Sequence, residues 1–232
     1  VFNSSYGIQQ VIRKLPVLNA AQYGAMLNEG STLSGGNVIF PDLSVLGKGT
    51  DWQDEVFKNA PEQNYNISAR GGSDKLSYFL AGGYLSQAGI VGGHNKSRFN
   101  RLNFTTNVNY NLTNKLKFTL NASYQNFNTK GVPSNSFNSV LGNALNFDPT
   151  VSKYNTVPNT IGEFGFSNLI TQEIQNPLTQ LSNTYNQNIG NKFYGKFEFQ
   201  YDVLKNLKLT TRFGYTKYDA NAKTFNPLQF LG

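Results

Sequence analysis

The sequence predicts an all-β fold of long antiparallel strands, and three observations support this prediction. Charged residues make up 14% of the 232-residue chain and aromatic residues another 14%, with 22 glycines, a composition that favours strands and turns over helices. Apolar and polar residues alternate strictly along several segments, as in a strand with one apolar and one polar face. Short and long connections alternate between these segments. We therefore expect six up-and-down strands, with residues 1–12 as a candidate seventh.

Four segments show the alternation most clearly, at residues 100–112, 116–128, 191–203 and 207–218. Each is longer than the five or six residues of an average strand and matches the roughly 9–11 residues that a membrane-crossing strand needs. A less regular pair precedes them. Residues 64–128 are therefore predicted to hold four strands, and residues 190–218 two.

The alternation assigns the side chains of these strands to two faces. The apolar face is predicted to meet lipid, and its candidate residues are Phe104, Val108, Tyr110, Phe118, Leu120, Tyr124, Phe197, Phe199, Tyr201, Leu209, Phe213 and Tyr215. The polar face is predicted to meet a lumen that contains protein or confined water, and its candidate residues are Arg101, Asn103, Asn107, Asn109, Lys117, Asn121, Gln125, Lys196, Glu198, Gln200 and Arg212.

The connections predict a segment of an antiparallel transmembrane β-barrel. Short turns at residues 71–74, 113–115 and 204–206 lie at one end of the strands, and the long connections 87–98 and 129–189 lie at the other. Outer-membrane barrels have short periplasmic turns, longer extracellular loops and aromatic girdles at both interfaces. A soluble β-sandwich is the alternative. The polar faces favour the barrel, because they are rich in Asn, Thr and Gln rather than in the charges of a solvated surface.

Residues 13–63 are predicted to form a loop with short helices. Asn19, with a glutamine three residues later, has the spacing of a capping box and predicts a helix to about residue 28 that ends at Gly30. A second short helix is predicted to start at Thr50 and to use Trp52 as a packing anchor.

The residue types offer little for catalysis. The chain has no cysteine and one histidine, His94, which excludes disulfides, thiolate nucleophiles and multi-histidine metal sites. The acids within residues 51–55 suit helix capping more than catalysis. Glu198 and Asp202 lie about 13 Å apart along a strand, too far for a glycosidase pair, and Glu198 is expected to pair with Lys196 or with a residue of the protein that fills the lumen. Basic residues are scattered singly, which argues against a nucleic-acid partner.

A series of short motifs occurs in order along the chain: GTDWQDEVF at 49–57, QNYNIS at 63–68, GGS at 71–73, YFLAGGY at 78–84, GIV at 89–91, FNRLN at 99–103 and NPL at 176–178. Together they resemble the SusC/RagA family of TonB-dependent outer-membrane transporters. The resemblance spans nearly the whole chain, and residues 15–28 resemble the stretch that follows the plug domain of that family.

The resemblance implies that residues 1–232 are an early part of one barrel domain of about 22 strands, without the plug or the end of the barrel. It implies TonB-dependent import of oligosaccharides or peptides across the outer membrane of a Gram-negative bacterium, without enzymatic activity or a cofactor. Implied partners are the rest of the transporter, including a plug against the polar face, lipid, a SusD-like surface lipoprotein, and TonB through the plug.

The extracellular connection 129–189 is the expected contact for the lipoprotein lid. Its candidate lid-contacting residues are Phe137, Leu141, Phe147, Tyr154, Phe164 and Phe166. The alternative function is that of a soluble carbohydrate-binding or adhesin-like β-domain.

Overall fold

A computed structural model describes residues 1–156, 162–170 and 173–225 of the chain. Seven strands form one antiparallel sheet in which each strand pairs with its neighbours in the sequence. They are β1 (Phe2–Gln9), β2 (Ala60–Gly72), β3 (Leu76–Ala88), β4 (Arg98–Asn111), β5 (Leu116–Lys130), β6 (Tyr185–Leu204) and β7 (Leu207–Phe225). The predicted all-β, up-and-down architecture is confirmed. The candidate strand within residues 1–12 is β1.

Strand β2 starts at Ala60, inside the predicted loop 13–63, and the last two strands differ most from their predicted bounds. Strand β6 starts at Tyr185 rather than near residue 190, and β7 continues to Phe225 rather than ending at 218. On the β6 extension, polar residues lie on both faces. On the β7 extension the alternation reverses, with Asp219 and Lys223 on the apolar face and Ala220 and Ala222 on the polar one, so the apolar pattern is interrupted on both. Residues 157–161 and 171–172 of the predicted 129–189 loop, and residues 226–232 of the predicted domain, lie outside the described residues.

The connections lie at the two ends of the sheet as expected. Residues 73–75, 112–115 and 205–206 form the short turns at one end, which we call the turn end. Residues 10–59, 89–97 and 131–184 form the long connections at the other, which we call the loop end. The asymmetry that predicted a barrel segment is therefore present in the structure.

The described residues of the long connections form five helices, α1 (Ala20–Leu33), α2 (Trp52–Val56), α3 (Gly93–Lys96), α4 (Val140–Asn146) and α5 (Pro177–Asn183), with a 3-10 turn at Leu43–Val45. No helix in the described ranges is long and apolar enough to span a membrane.

Two details of the predicted helices were wrong. The capping box at Asn19 is present, but α1 continues past Gly30 to Leu33. Gly30 does not adopt the left-handed conformation with which a glycine commonly ends a helix, so α1 passes through it. Helix α2 is capped by Asp51, not Thr50. The Thr50 hydroxyl instead donates to the carbonyl of Val151 at 2.7 Å.

The main apolar core lies at the loop end rather than on the sheet. It draws on all three long connections and consists of Trp52, Val56, Val91, Val140, Ala144, Phe147, Leu178 and Leu181. We call this set the loop core. The long connections therefore fold together into one packed unit above the strands.

Candidate functional site

The apolar side chains of neighbouring strands lie in register on one face of the sheet. Val108 pairs with Leu120, Leu120 with Phe197 and Phe197 with Phe213, which makes one row across four strands. The pairing places all twelve predicted lipid-facing residues on this face. It remains largely uncovered, with Phe213 61% exposed. Contact of this face with lipid stays a prediction.

Aromatic residues border this face near both ends. Tyr124 pairs with Phe193 towards the loop end, and Tyr201 pairs with Leu116 towards the turn end. About eight residue steps separate the two rows, or about 27 Å along a strand. With a strand tilt of about 40°, this corresponds to about 21 Å along the barrel axis, close to the apolar band of roughly 25 Å in outer-membrane barrels.

The opposite face carries the polar side chains, and all eleven predicted lumen-facing residues lie on it. The pairing aligns Asn109 with Thr119, Thr119 with Glu198 and Glu198 with Arg212. The expected ion pair between Lys196 and Glu198 is present at 3.7 Å. Arg212 Nε is closer to the Glu198 carboxylate, at 2.6 Å, because it lies directly opposite on β7.

The polar face is not polar throughout, which the sequence analysis missed. Near the loop end it carries Phe127 and Tyr218, whose rings stack with centroids 6.2 Å apart and an interplanar angle of 15°. Phe127 lies over Gly190, where an added Cβ would come within 2.4 Å of its ring. We call Phe127 and Tyr218 the ring platform. The available signal was that Phe127 falls on the polar face of its strand, opposite Gly190. This signal can be recognised only when the register between β5 and β6 is known.

The loop core is organised around Trp52. This side chain is 2% exposed, and its Nε1 donates to the carbonyl of Asp148 at 2.9 Å. Its ring meets Phe147 edge to face, with centroids 5.0 Å apart. The expected packing role of Trp52 is therefore confirmed, and the tryptophan joins the connections 10–59 and 131–184.

Gly49 allows the same two connections to approach closely. Its φ is +67°, and a Cβ there would lie 2.1 Å from the carbonyl oxygen of Pro149. Both the left-handed conformation and the contact require glycine.

The predicted lid-contacting residues divide into two groups. Phe147 is buried in the loop core, and Leu141 and Phe164 pack against it. Phe137, Tyr154 and Phe166 are more than half exposed. Internal packing therefore uses part of the apolar surface of this connection, and the rest remains on its outside.

The acidic residues of α2 have structural partners. Lys14 forms ion pairs with Asp51 and Asp54, and Lys153 pairs with Glu55 at 2.6 Å. The hydrogen bond to Asp54, together with Asp51, raises the pKa of Lys14 despite partial desolvation. Burial raises the pKa of Asp51, but Lys14 and the backbone N–H groups at the start of α2 outweigh this effect and lower it overall. These contacts fit capping and loop closure rather than catalysis.

The remaining candidate chemistry is sparse in the structure. His94 lies on α3, with its Nε2 2.9 Å from Nη1 of Arg98. The described part of the chain contains no cluster of three His, Asp or Glu side chains that could hold a metal ion.

The chain is similar to TonB-dependent receptors over almost its entire length, although no protein-family model matches it. TonB-dependent receptor P3 of Formosa agariphila is 26% identical over an alignment of 237 residues, which covers 99% of this chain and 22% of the relative. TonB-dependent receptor SusC of Bacteroides thetaiotaomicron is 28% identical over 92% of this chain and 22% of its own length. The resemblance of the chain to SusC-type TonB-dependent receptors is confirmed.

Solved structures show the same fold. The chain matches the RagAB peptide transporter with a TM-score of 0.74 and 17% identity, over 96% of this chain and 28% of that one. The RagAB peptide importer in its 'open-open' state matches with a TM-score of 0.69 and 19% identity, over the same shares of the two chains. The chain spans about a fifth of the length of the SusC-type receptors that it matches.

Proposed function

We propose that this chain forms part of the barrel wall of a TonB-dependent outer-membrane importer. The observation that carries the proposal is the two-faced sheet: one face is apolar and bordered by aromatic rows, the other is polar, and every short turn lies at one end. A sheet with water on both sides has no need of such an apolar face. A sheet with a lipid bilayer on one side and a protein-filled lumen on the other needs one apolar face and one polar face.

In this function the sheet performs no covalent chemistry. We propose that its polar face packs against a plug domain that couples to TonB, and that the loops at its outer end help to admit oligosaccharides or peptides. The amides and hydroxyls of this face support a plug contact, since each can make several hydrogen bonds to another protein surface.

A SusD-like surface lipoprotein is the proposed partner at the loop end. Phe137, Tyr154 and Phe166 offer apolar surface that the loop core does not cover. A cleft of about 850 Å³ between α1, α2 and α4, with Met26 and Leu145 in its lining, adds further apolar surface at the same end.

Cysteine labelling in the full-length receptor tests the orientation of the segment, because these 232 residues contain no cysteine of their own. We expect a membrane-impermeant maleimide to label Phe166→Cys on intact cells, and Asn206→Cys only after the outer membrane is permeabilised. Leu120→Cys should react only with a lipid-soluble maleimide. Equal labelling of positions 166 and 206 on intact cells would contradict the proposal. Monodisperse protein without detergent would instead support a soluble β-domain.

The partner is tested separately, with the same Phe166→Cys receptor. We expect labelling to slow when the lipoprotein is present and to become fast when its gene is deleted. The same test applies to protease cleavage within residues 130–188. Equal rates in both strains would leave the orientation intact but remove the lid from the proposal.

A further inference from the structure

The ring platform lies at the loop end of the polar face. Phe127 lies three residues beyond Tyr124, the aromatic residue that borders the apolar face on the same strand. In the proposed orientation, the platform therefore faces the outer mouth of the lumen. Gly190 leaves room for the Phe127 ring, which occupies the space that a Cβ would take.

Two basic residues flank the ring platform. Arg101 pairs directly with Phe127, and Lys192 pairs directly with Tyr218. The Nε of Arg101 is buried and has no hydrogen-bond acceptor among the described residues. Arg101 as a whole is only half-buried, and a carboxylate is the acceptor that a planar guanidinium matches best.

The remaining charges of this face are distributed differently. Arg212 and Lys196 share Glu198, and Lys208 pairs with Asp202. In the described ranges, by contrast, neither Arg101 nor Lys192 forms an ion pair. Lys117, near the turn end of this face, also has no ion pair in the described ranges, so what distinguishes Arg101 and Lys192 is their position beside the ring platform.

Amide side chains complete the surroundings. Asn103 pairs with Gln125 in the row next to the platform. The Oδ1 atom of Asn188, one row towards the loop end, is buried without a donor among the described residues. The site thus combines ring faces, two basic side chains without ion pairs in the described ranges, and amides that donate and accept hydrogen bonds.

We propose that Arg101, Lys192 and the ring platform form a subsite for a carboxylated sugar unit of an oligosaccharide. Its carboxylate would lie against the two cations, its apolar ring face against the aromatic rings, and its hydroxyls beside the amides. A neutral sugar would leave both cations unpaired, and an acidic peptide makes little use of flat ring faces next to amides. The proposal rests on the importer function and names a class of ligand for it.

Calorimetric titration of the full-length receptor in detergent tests the subsite. The probe is tri-galacturonate, its methyl ester is the neutral control ligand, and tri-glutamate is the acidic peptide control. The variants are Arg101→Gln, Arg101→Lys and Lys192→Gln. Lys117→Gln is the matched control, because Lys117 lies on the same face near the turn end and also has no ion pair in the described ranges.

We expect Arg101→Gln to weaken tri-galacturonate binding about tenfold or more, since it removes a charge-assisted hydrogen-bonding group. Arg101→Lys should restore part of the affinity, Lys117→Gln should leave it unchanged, and the methyl ester should bind much more weakly than the acid. Lys192→Gln tests the same subsite if Arg101→Gln fails to fold.

Three results would overturn the subsite: no binding of tri-galacturonate, binding that neither Arg101→Gln nor Lys192→Gln weakens, or tri-glutamate binding with the same dependence on these residues. The last result would assign the site to peptides. The cysteine-labelling pattern separates these outcomes from a failure of the importer proposal, because it depends only on the orientation of the sheet.

Discussion

The depth of the apolar face can be measured by placing arginine along one strand. Leu120 lies four residues from Tyr124 and four from Leu116, in the middle row between the aromatic borders. Four residues correspond to about 14 Å along the strand, or about 10 Å along the axis at a tilt near 40°. Leu120 is therefore expected near the midplane of the bilayer, and Tyr124 near its outer interface.

Arginine at the midplane of a barrel costs about 2–4 kcal/mol, and near the interface about 0–1 kcal/mol. We expect Leu120→Arg to lower the unfolding free energy of the full-length receptor by the larger amount and Tyr124→Arg by the smaller. Asn121→Arg is the matched control, because the neighbouring side chain lies on the polar face. The free energy is measured by guanidinium unfolding from lipid vesicles.

The order of the three values is decisive. If Leu120→Arg costs no more than Tyr124→Arg, the apolar face does not cross a bilayer at the proposed depth. If Asn121→Arg lowers the unfolding free energy as much as Leu120→Arg does, the loss of stability comes from steric crowding in the strand and not from contact of arginine with lipid.

Further predictions concern the loop core and the polar face. Trp52→Ala should destabilise the loop unit by about 3–5 kcal/mol and accelerate protease cleavage of the long connections. Trp52→Phe, which keeps an aromatic ring but removes the indole donor, should cost less. Gly190→Ala should cost about 1–3 kcal/mol through overpacking, whereas Gly214→Ala, where an added Cβ meets nothing within 4 Å, should not lower the Tm. The folded-state pKa of Asp51 lies below its ordinary value, so its contribution to stability is present above about pH 4 and is lost as the pH falls through the folded-state pKa. The hydrogen-exchange protection factors of the α2 amides, which are corrected for the pH dependence of intrinsic exchange, should therefore fall on acidification in the native protein and much less in Asp51→Asn.

The strands were predictable because their evidence is local. Each alternating segment such as 100–112 identifies its own two faces, and short turns fix which segments pair. The same reasoning missed the parts of β6 and β7 nearest the loop end, because polar residues there lie on the face that is apolar elsewhere.

The loop core was not predictable, because its contacts join residues far apart in the sequence. Trp52 donates to the carbonyl of Asp148 across 96 positions, and no periodic pattern links the two. The ring platform has a similar cause. Phe127 is out of phase with the apolar face, and its role appears only when the strand register brings Gly190 beneath it.

The shared loop core also restricts how receptors of this kind can be recombined. A chimera that replaced only residues 131–184 would remove the Asp148 carbonyl and the Phe147 ring that contact the Trp52 indole. The incoming segment would also need a backbone that packs against Gly49 as Pro149 does. Replacing residues 10–59, 89–97 and 131–184 together would transfer the packed unit with its own contacts. The three connections therefore have to be exchanged together, even though strands β2 to β5 separate them in the sequence.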